Sequence, residues 1–144
     1  MKDGKPAPDE SGDLAANLLA EAGHVVTRRK LIPDDGDEIR KQVKKFLGTK
    51  DDALLLTGGT GVAKSDVTIE AVRPFLEKEL EGFGELFRRT SYDEIGAAAY
   101  LTRATAGVSA GKLILCLPGS PAAVRMALEI GMGEFPHLLY VARH

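Results

Sequence analysis

Apolar positions along this chain follow two periods in turn, and the switches between them cut it into alternating segments. Leu14, Leu18, Leu19 and Ala22 share one side of a helix, with Ser11 placed as its N-cap and Gly23 at its end. "HVVTRRKLI" follows as a strand candidate closed by Pro33, and after "PDDGDE" a second helix puts Ile39, Val43, Phe46 and Leu47 on one face before Gly48 stops it. "DALLLT" is then continuously apolar, as strands inside a parallel sheet tend to be. Beyond "GGTG" comes a helix that Pro74 should kink, with Val72, Phe75, Leu76 and Leu80 on a single side. "SYDE" at 91–94 has the form of a capping box for another helix running to about Ala104. "GVSAGK" reads as a turn, "LILCL" as a second apolar strand, "PGSPAAVRMALEI" as a helix restarting at Pro121, and "PHLLYVARH" as a short amphipathic close.

Strands alternating with helices predict a three-layer α/β domain with a mainly parallel sheet. The organisation expected is a polar N-terminal loop over residues 1–10, "MKDGKPAPDE", and one folded domain over 11–144. In such sheets ligands collect at the carboxyl ends of strands. The loops "TGGTG" and "PGSP" both stand at that position.

Composition narrows the function classes. The chain has 144 residues, and 19 basic residues against 21 acidic ones leave a net charge of -2, so no nucleic-acid partner is expected. The apolar runs fall far short of the ~20 residues a membrane span requires, and the expected location is the cytoplasm. The single cysteine, Cys116, lies in "LILCLP" and reads as a core thiol. His24, His137 and His144 are too dispersed for a zinc set.

The candidate chemistry gathers at the two loops. Thr57, Gly58, Gly59, Thr60 and Gly61 offer backbone amides for an anion nest that would take a phosphate or nucleotide, with two hydroxyls beside them; a structural turn is the alternative. The spacing is neither a Walker loop nor a dinucleotide fingerprint. Asp66 could cap the following helix, hold Mg²⁺ against phosphates, or do both. Asp34, directly after the strand-closing proline, is the candidate second carboxylate, whereas Asp35, Asp37 and Glu38 read as complements to a helix dipole. Lys64 and Arg103 could balance phosphate charge, and the Thr102 hydroxyl could bond a ligand or a helix carbonyl. Ser120, with Pro118 and Gly119, reads as a loop donor to a ligand and has no nucleophile-elbow context.

Taken in order, "TGGTGVAKSDVTIEAV", "EGFGELFR", "SYDEIG", "LTRATAG" and "LPGSPAAV" resemble the molybdenum cofactor biosynthesis family, which includes molybdopterin adenylyltransferases and the related units of gephyrin-type proteins. The resemblance runs from about Ser11 to the end of the chain. It implies a homo-oligomeric domain, trimer or hexamer, that binds molybdopterin and activates it with Mg·ATP, delivering adenylylated product to a molybdenum-insertion protein. It further implies that Gly58 through Gly61 hold the anionic end of the ligand and that Asp66 serves the magnesium or the pterin phosphate. Asp34 matches the acidic residue after "IP" that the enzymes need, and Gly119 and Ser120 belong to a loop near the nucleotide.

Three departures from the family pattern bear on activity. Ile69 replaces the proline of "DVTPE", and Thr102 stands in "LTR" where adenylyltransferases commonly have "LSR", adding a methyl beside the hydroxyl. Family members also begin with an apolar strand ending in "SD", so the expected fold lacks that usual first strand, through either a shortened record or a natural variant compensated by oligomer contacts. Catalysis by this member and binding without turnover are therefore both open. The nucleotide-hydrolysing branch linked to competence-damage-inducible proteins favours "GGLGPT" and paired aspartates, against which Thr60 and the single Asp66 argue.

Overall fold

"KLILCL" forms the strand on which everything else packs. In the computed structural model, which describes residues 9–144, the strands are β1 (Ala53–Thr57), β2 (Lys78–Glu79), β3 (Thr105–Ser109) and β4 (Lys112–Leu117). They lie in the order β1-β4-β3-β2. Alternate side chains of β4 enter different cores: Leu113, Leu115 and Leu117 face one, Ile114 and Cys116 the other. Both faces must then be covered, which is why this strand has no polar side.

The first core is closed by α1 (Glu10–Glu21), α4 (Glu81–Ile95), α5 (Pro121–Gly131) and α6 (Phe135–Arg143), through Ala15, Phe87, Val124, Ala127, Leu128 and Phe135. On the opposite face α2 (Gly36–Leu47) and the single-turn α3 (Thr68–Val72) bring Ile39, Val43, Phe46, Ile69 and Val72. Three layers result, as the alternation of segments predicts. Each large side chain withdrawn from water here contributes about 1.5–3 kcal/mol, so truncating Leu115 to alanine should cost about 2–5 kcal/mol.

The sheet is mixed. β1 runs parallel to β4, from Ala53 opposite Leu113 to Thr57 opposite Leu117, while β3 is antiparallel to β4 and β2 antiparallel to β3. Where a mainly parallel sheet is expected, one strand pair is parallel and two are antiparallel. A two-residue hairpin explains the change: Ala110 and Gly111 have φ of 53° and 72°, the pair of positive values that a tight turn between twisted strands requires.

Other boundaries also move. α1 starts at Glu10 with Asp9 as N-cap, accepting from the Gly12 amide, so Ser11 lies in the first turn. Residues 1–8 of the expected N-terminal loop lie outside the described residues. The "SYDE" capping box is not a helix start, because α4 already begins at Glu81 and carries Ser91 as a buried interior residue. A 3-10 helix, Gly96–Leu101, then replaces the expected continuation to Ala104. Pro74 ends α3 in a 3-10 turn, Arg73–Phe75, where a missing amide is tolerated.

"HVVTRRKLI" makes no strand among the described residues. A strand exists only through a neighbour's backbone, and no described strand pairs with this segment. Its polar side chains fix it instead: Thr27 donates to Asp51 at 2.9 Å, Arg29 pairs with Asp9 and Asp13, and Lys30 faces Glu38. Among the described residues, no helix is long and apolar enough to cross a membrane.

Candidate functional site

Parallel pairing in register makes β1 and β4 end at the same edge, so the loops that follow them meet. The Gly58 amide donates to the Leu117 carbonyl at 2.8 Å. Gly58 and Gly59 have φ of 92° and 68°, which glycine adopts freely and other residues rarely do. "TGGTG" therefore folds back over the start of "PGSP".

Four successive carbonyls of this loop are taken by the protein. Gly58 O accepts from Thr68 Oγ1 at 2.9 Å and Gly59 O from the Thr68 amide at 3.0 Å. Thr60 O and Gly61 O accept from Arg103, through Nε and a terminal guanidinium nitrogen, each at 2.8 Å. By contrast, no described residue accepts a hydrogen bond from the amides of Gly59, Thr60 or Gly61. A backbone whose acceptors are all satisfied and whose successive donors are not has the polarity of an anion nest. The Thr60 side chain, expected as a ligand donor, is itself buried at 2% exposure.

Each candidate carboxylate stands against a different glycine of this loop. A β-carbon on Gly59 would lie 3.5 Å from Asp34 Oδ1, and one on Gly61 would lie 2.7 Å from Asp66 Oδ2. Side chains at these positions would fill the space where backbone and carboxylates approach one another. Asp66 does not cap α3, which starts at Thr68 after Val67; it accepts instead from the Ala63 amide at 2.9 Å and closes the turn before that helix. Two carboxylates beside an anion nest would repel an anionic ligand unless a cation stood between them. That donor set suits Mg²⁺, which takes one or two carboxylates and completes its shell with phosphate oxygens and water. Among the described residues no cluster of three or more His, Cys, Asp or Glu side chains forms a self-sufficient metal cage.

The remaining candidates fall into different settings. Ser120 is the N-cap of α5, its Oγ accepting from the Ala123 amide at 3.2 Å, and it remains exposed on the "PGSP" loop. Pro118 is half-buried and Gly119 exposed. Thr57 ends β1 and lines a cavity of about 370 Å³ with Ser11, Leu31 and Gly119. Thr102 closes the 3-10 helix and is half-buried. Lys64 lies exposed in the loop between Gly61 and Asp66. Arg103 does not project as an isolated cation: besides holding two loop carbonyls, it meets the Glu70 carboxylate at 2.6 and 3.1 Å. The hydrogen bond from Arg103 holds the Glu70 carboxyl below its usual range, and the same bond raises Arg103.

Sequence reasoning missed two residues that shape this edge. Ser11 donates its hydroxyl to the Gly119 carbonyl across 108 positions of chain, and Thr68 bonds Gly58 as described. Nothing in the spacing of either residue signals such long-range contacts. Ser11 reads as a helix cap, and the loop it touches comes near only in the folded chain; Thr68 reads as part of a motif whose aspartate draws the notice, while its hydroxyl reaches back ten positions to Gly58.

Comparison with known proteins gives one family. The profile of a family described as "Probable molybdopterin binding domain" matches residues 5–137. Molybdenum cofactor biosynthesis protein B of Staphylococcus aureus is 50% identical over 136 residues, covering 92% of this chain and 81% of that protein. A crystal structure of molybdenum cofactor biosynthesis protein B superposes with a TM-score of 0.92 at 43% identity, over 98% of this chain and 90% of the other. The tungsten cofactor synthesizing protein MoaB of Pyrococcus furiosus gives a TM-score of 0.88 at 41% identity, over 96% and 88%. With its family profile matched over residues 5–137 and relatives alike in both sequence and fold, this chain belongs to the molybdopterin-binding domain family of molybdenum cofactor biosynthesis.

Proposed function

We propose that this protein transfers AMP from Mg·ATP to the terminal phosphate of molybdopterin, releasing pyrophosphate, as a step in molybdenum cofactor biosynthesis. The observation that supports this reading most is the glycine loop with its four carbonyls engaged, its amides at Gly59, Thr60 and Gly61 left to a ligand, and Asp34 and Asp66 beside it. In the reaction an oxygen of the pterin's terminal phosphate bonds to the α-phosphorus of ATP. The bond from that phosphorus to the bridging oxygen breaks, and the electron pair leaves with pyrophosphate. Such chemistry asks the protein chiefly for alignment and charge balance.

In this reading the amides of Gly59, Thr60 and Gly61 bind phosphate oxygens, Gly58 being tied to Leu117 and Thr68 as the turn that presents them, and Asp66, with Asp34, would hold Mg²⁺ and so neutralise charge on the transferring and leaving groups. Gly119 and Ser120 contact the nucleotide side, with Thr57, Thr102 and Pro118 shaping the walls. Adenylylated molybdopterin would pass to a molybdenum-insertion partner. The homo-oligomer, trimer or hexamer, is likewise proposed; the exposed Leu86, Tyr92, Ile95, Tyr100 and Leu101 on and after α4 are apolar surface that a second copy could cover.

The test is pyrophosphate release from ATP, Mg²⁺ and molybdopterin by the parent and by Asp66→Asn. Asparagine keeps an oxygen to accept from the Ala63 amide, so the turn survives while the charge is lost. The expected result is release that depends on molybdopterin and falls about 100-fold or more in the variant. Equal release by both proteins would remove Asp66 from the mechanism. Tight pterin binding by a folded parent that releases no pyrophosphate would replace the enzyme with a binding module.

A further inference from the structure

We infer that Arg103, oriented by Glu70, is a positioning residue that holds the glycine loop in its ligand-accepting form. This rests on the reading of that loop as the phosphate site.

The geometry separates holding the loop from meeting the ligand. Arg103 spends Nε on Thr60 O and a terminal nitrogen on Gly61 O, both at 2.8 Å. Its remaining side is turned to Glu70, with contacts at 2.6 and 3.1 Å from the two terminal nitrogens. One planar fork thus spans two consecutive carbonyls and a carboxylate, a span the single ammonium of lysine cannot reproduce. With both carbonyls drawn toward Arg103, the intervening peptide plane is fixed, and the direction of the Gly61 amide is fixed with it. Thr68 does the same for the preceding two carbonyls. Arg103 and Thr68 therefore divide the loop between them, one carbonyl pair each.

Glu70 is the orienter. It stands on α3, two residues beyond Thr68, so the same single helical turn supplies the hydroxyl that holds one half of the loop and the carboxylate that aims the fork at the other. Glu70 is half exposed and Arg103 about one-third exposed, so the pair lies where solvent would otherwise let a long side chain swing. The two loop carbonyls and the carboxylate together remove that freedom.

A direct phosphate contact and a positioning role predict opposite signs for one substitution. If Arg103 met the ligand, Glu70→Gln would release a competing carboxylate and tighten nucleotide binding. If Arg103 positions the loop, Glu70→Gln loosens it. The experiment is ¹⁵N relaxation on the ligand-free protein, with Mg·ATP titrations alongside, for the parent, Glu70→Gln, Arg103→Lys and Arg103→Ala. The amides of Gly59, Thr60 and Gly61 should fall from the rigid range, about 0.85 in order parameter, toward about 0.6 in Arg103→Ala and Arg103→Lys, and part of the way in Glu70→Gln, while β4 stays rigid. The ATP dissociation constant should rise about tenfold in Arg103→Ala, with Arg103→Lys giving little rescue and Glu70→Gln intermediate.

Tighter ATP binding by Glu70→Gln, or a loop that stays rigid in Arg103→Ala, would overturn the inference. Loosening spread equally through loop and β4 would overturn it too, reducing Arg103 to general stability. Should Arg103→Ala not fold, Glu70→Gln and Arg103→Lys carry the decision. A parent that does not bind ATP would defeat the nucleotide reading alone, since the loop's rigidity is read without ligand.

Discussion

Gly119 presses on Gly58: a β-carbon on Gly119 would lie 3.2 Å from the Gly58 α-carbon, with backbone and no flexible side chain to give way. This contact joins the loops that follow β1 and β4, and Ser11 donates to the Gly119 carbonyl from outside.

Gly119→Ala should therefore shift the glycine loop as well as its own. Because the neighbour is backbone at a distance tighter than most real contacts, the expected cost is about 1–3 kcal/mol of stability. Nucleotide affinity should drop with it. Ser11→Ala removes only the hydroxyl and should cost about 0.5–1.5 kcal/mol, with a smaller loss of affinity. Chemical denaturation and ATP titration of both variants measure the two effects; an alanine at 119 with unchanged affinity would mean that the loops are independent.

Thr68 offers a sharper cut into the same loop. Its side chain is buried at 4% exposure, and its Oγ1 bonds Gly58 O at 2.9 Å. Thr68→Val keeps the shape and strands a carbonyl beside apolar surface, for an expected loss of about 1–3 kcal/mol. Gly59→Ala should be worse, since alanine would have to adopt a φ of 68° and its β-carbon would collide with Thr68 Oγ1. The order of midpoints in urea, parent above Thr68→Val above Gly59→Ala, checks both.

The elements read correctly from sequence are those whose signal is local. "LILCL" is apolar throughout because β4 is covered on both faces, and Gly48 ends α2 as placed. β3 was hidden because "TAGVS" is made of small residues, and the structure shows why they are small: a β-carbon on Gly107 would lie 2.7 Å from Leu76 and 2.8 Å from the Lys78 carbonyl. A strand selected for close approach loses its usual composition. In the candidate site, "TGGTG", Asp34 and Asp66 stand out by residue type and position, whereas the contacts of Arg103 do not, since its loop partners lie 42 and 43 positions earlier. Long-range hydrogen bonds leave no period in a sequence.

The charge state of Glu70 makes the loop clamp dependent on acid but not on ordinary pH. The Arg103 hydrogen bond depresses its carboxyl below the usual range. A depressed acid contributes stability above its unfolded value, 4.5, and loses it as pH falls through the lower folded value. Loop order parameters should then hold from neutral pH down to about 5 and decline only below the ordinary carboxylate range. Glu70→Gln should show no such decline. A parent loop that loosens already between pH 7 and 5 would show that another group sets its order.

Cys116 gives a stability prediction at the other end of the scale. It sits on β4 at 0% exposure, and burial pushes its thiol up to about 12 from 9.0. The folded state therefore keeps a proton that the unfolded chain gives up, so stability should fall as pH climbs from 9.0 toward 12. The slope attributable to this thiol reaches about 1.4 kcal/mol per pH unit. Lysines and tyrosines titrate in the same region, so the measurement that isolates Cys116 is the difference between the parent and Cys116→Ala. The alanine variant should begin less stable, because a small cavity opens beneath Ile69 and Val72. Its deficit should shrink as pH rises above 9.0, because it has no proton to lose. A thiol reagent at pH 8 should label the parent only as fast as the fold opens, and added urea should accelerate that labelling. Rapid labelling of the native protein, or a deficit that stays constant to pH 11, would mean that the thiol is not held dry within the sheet.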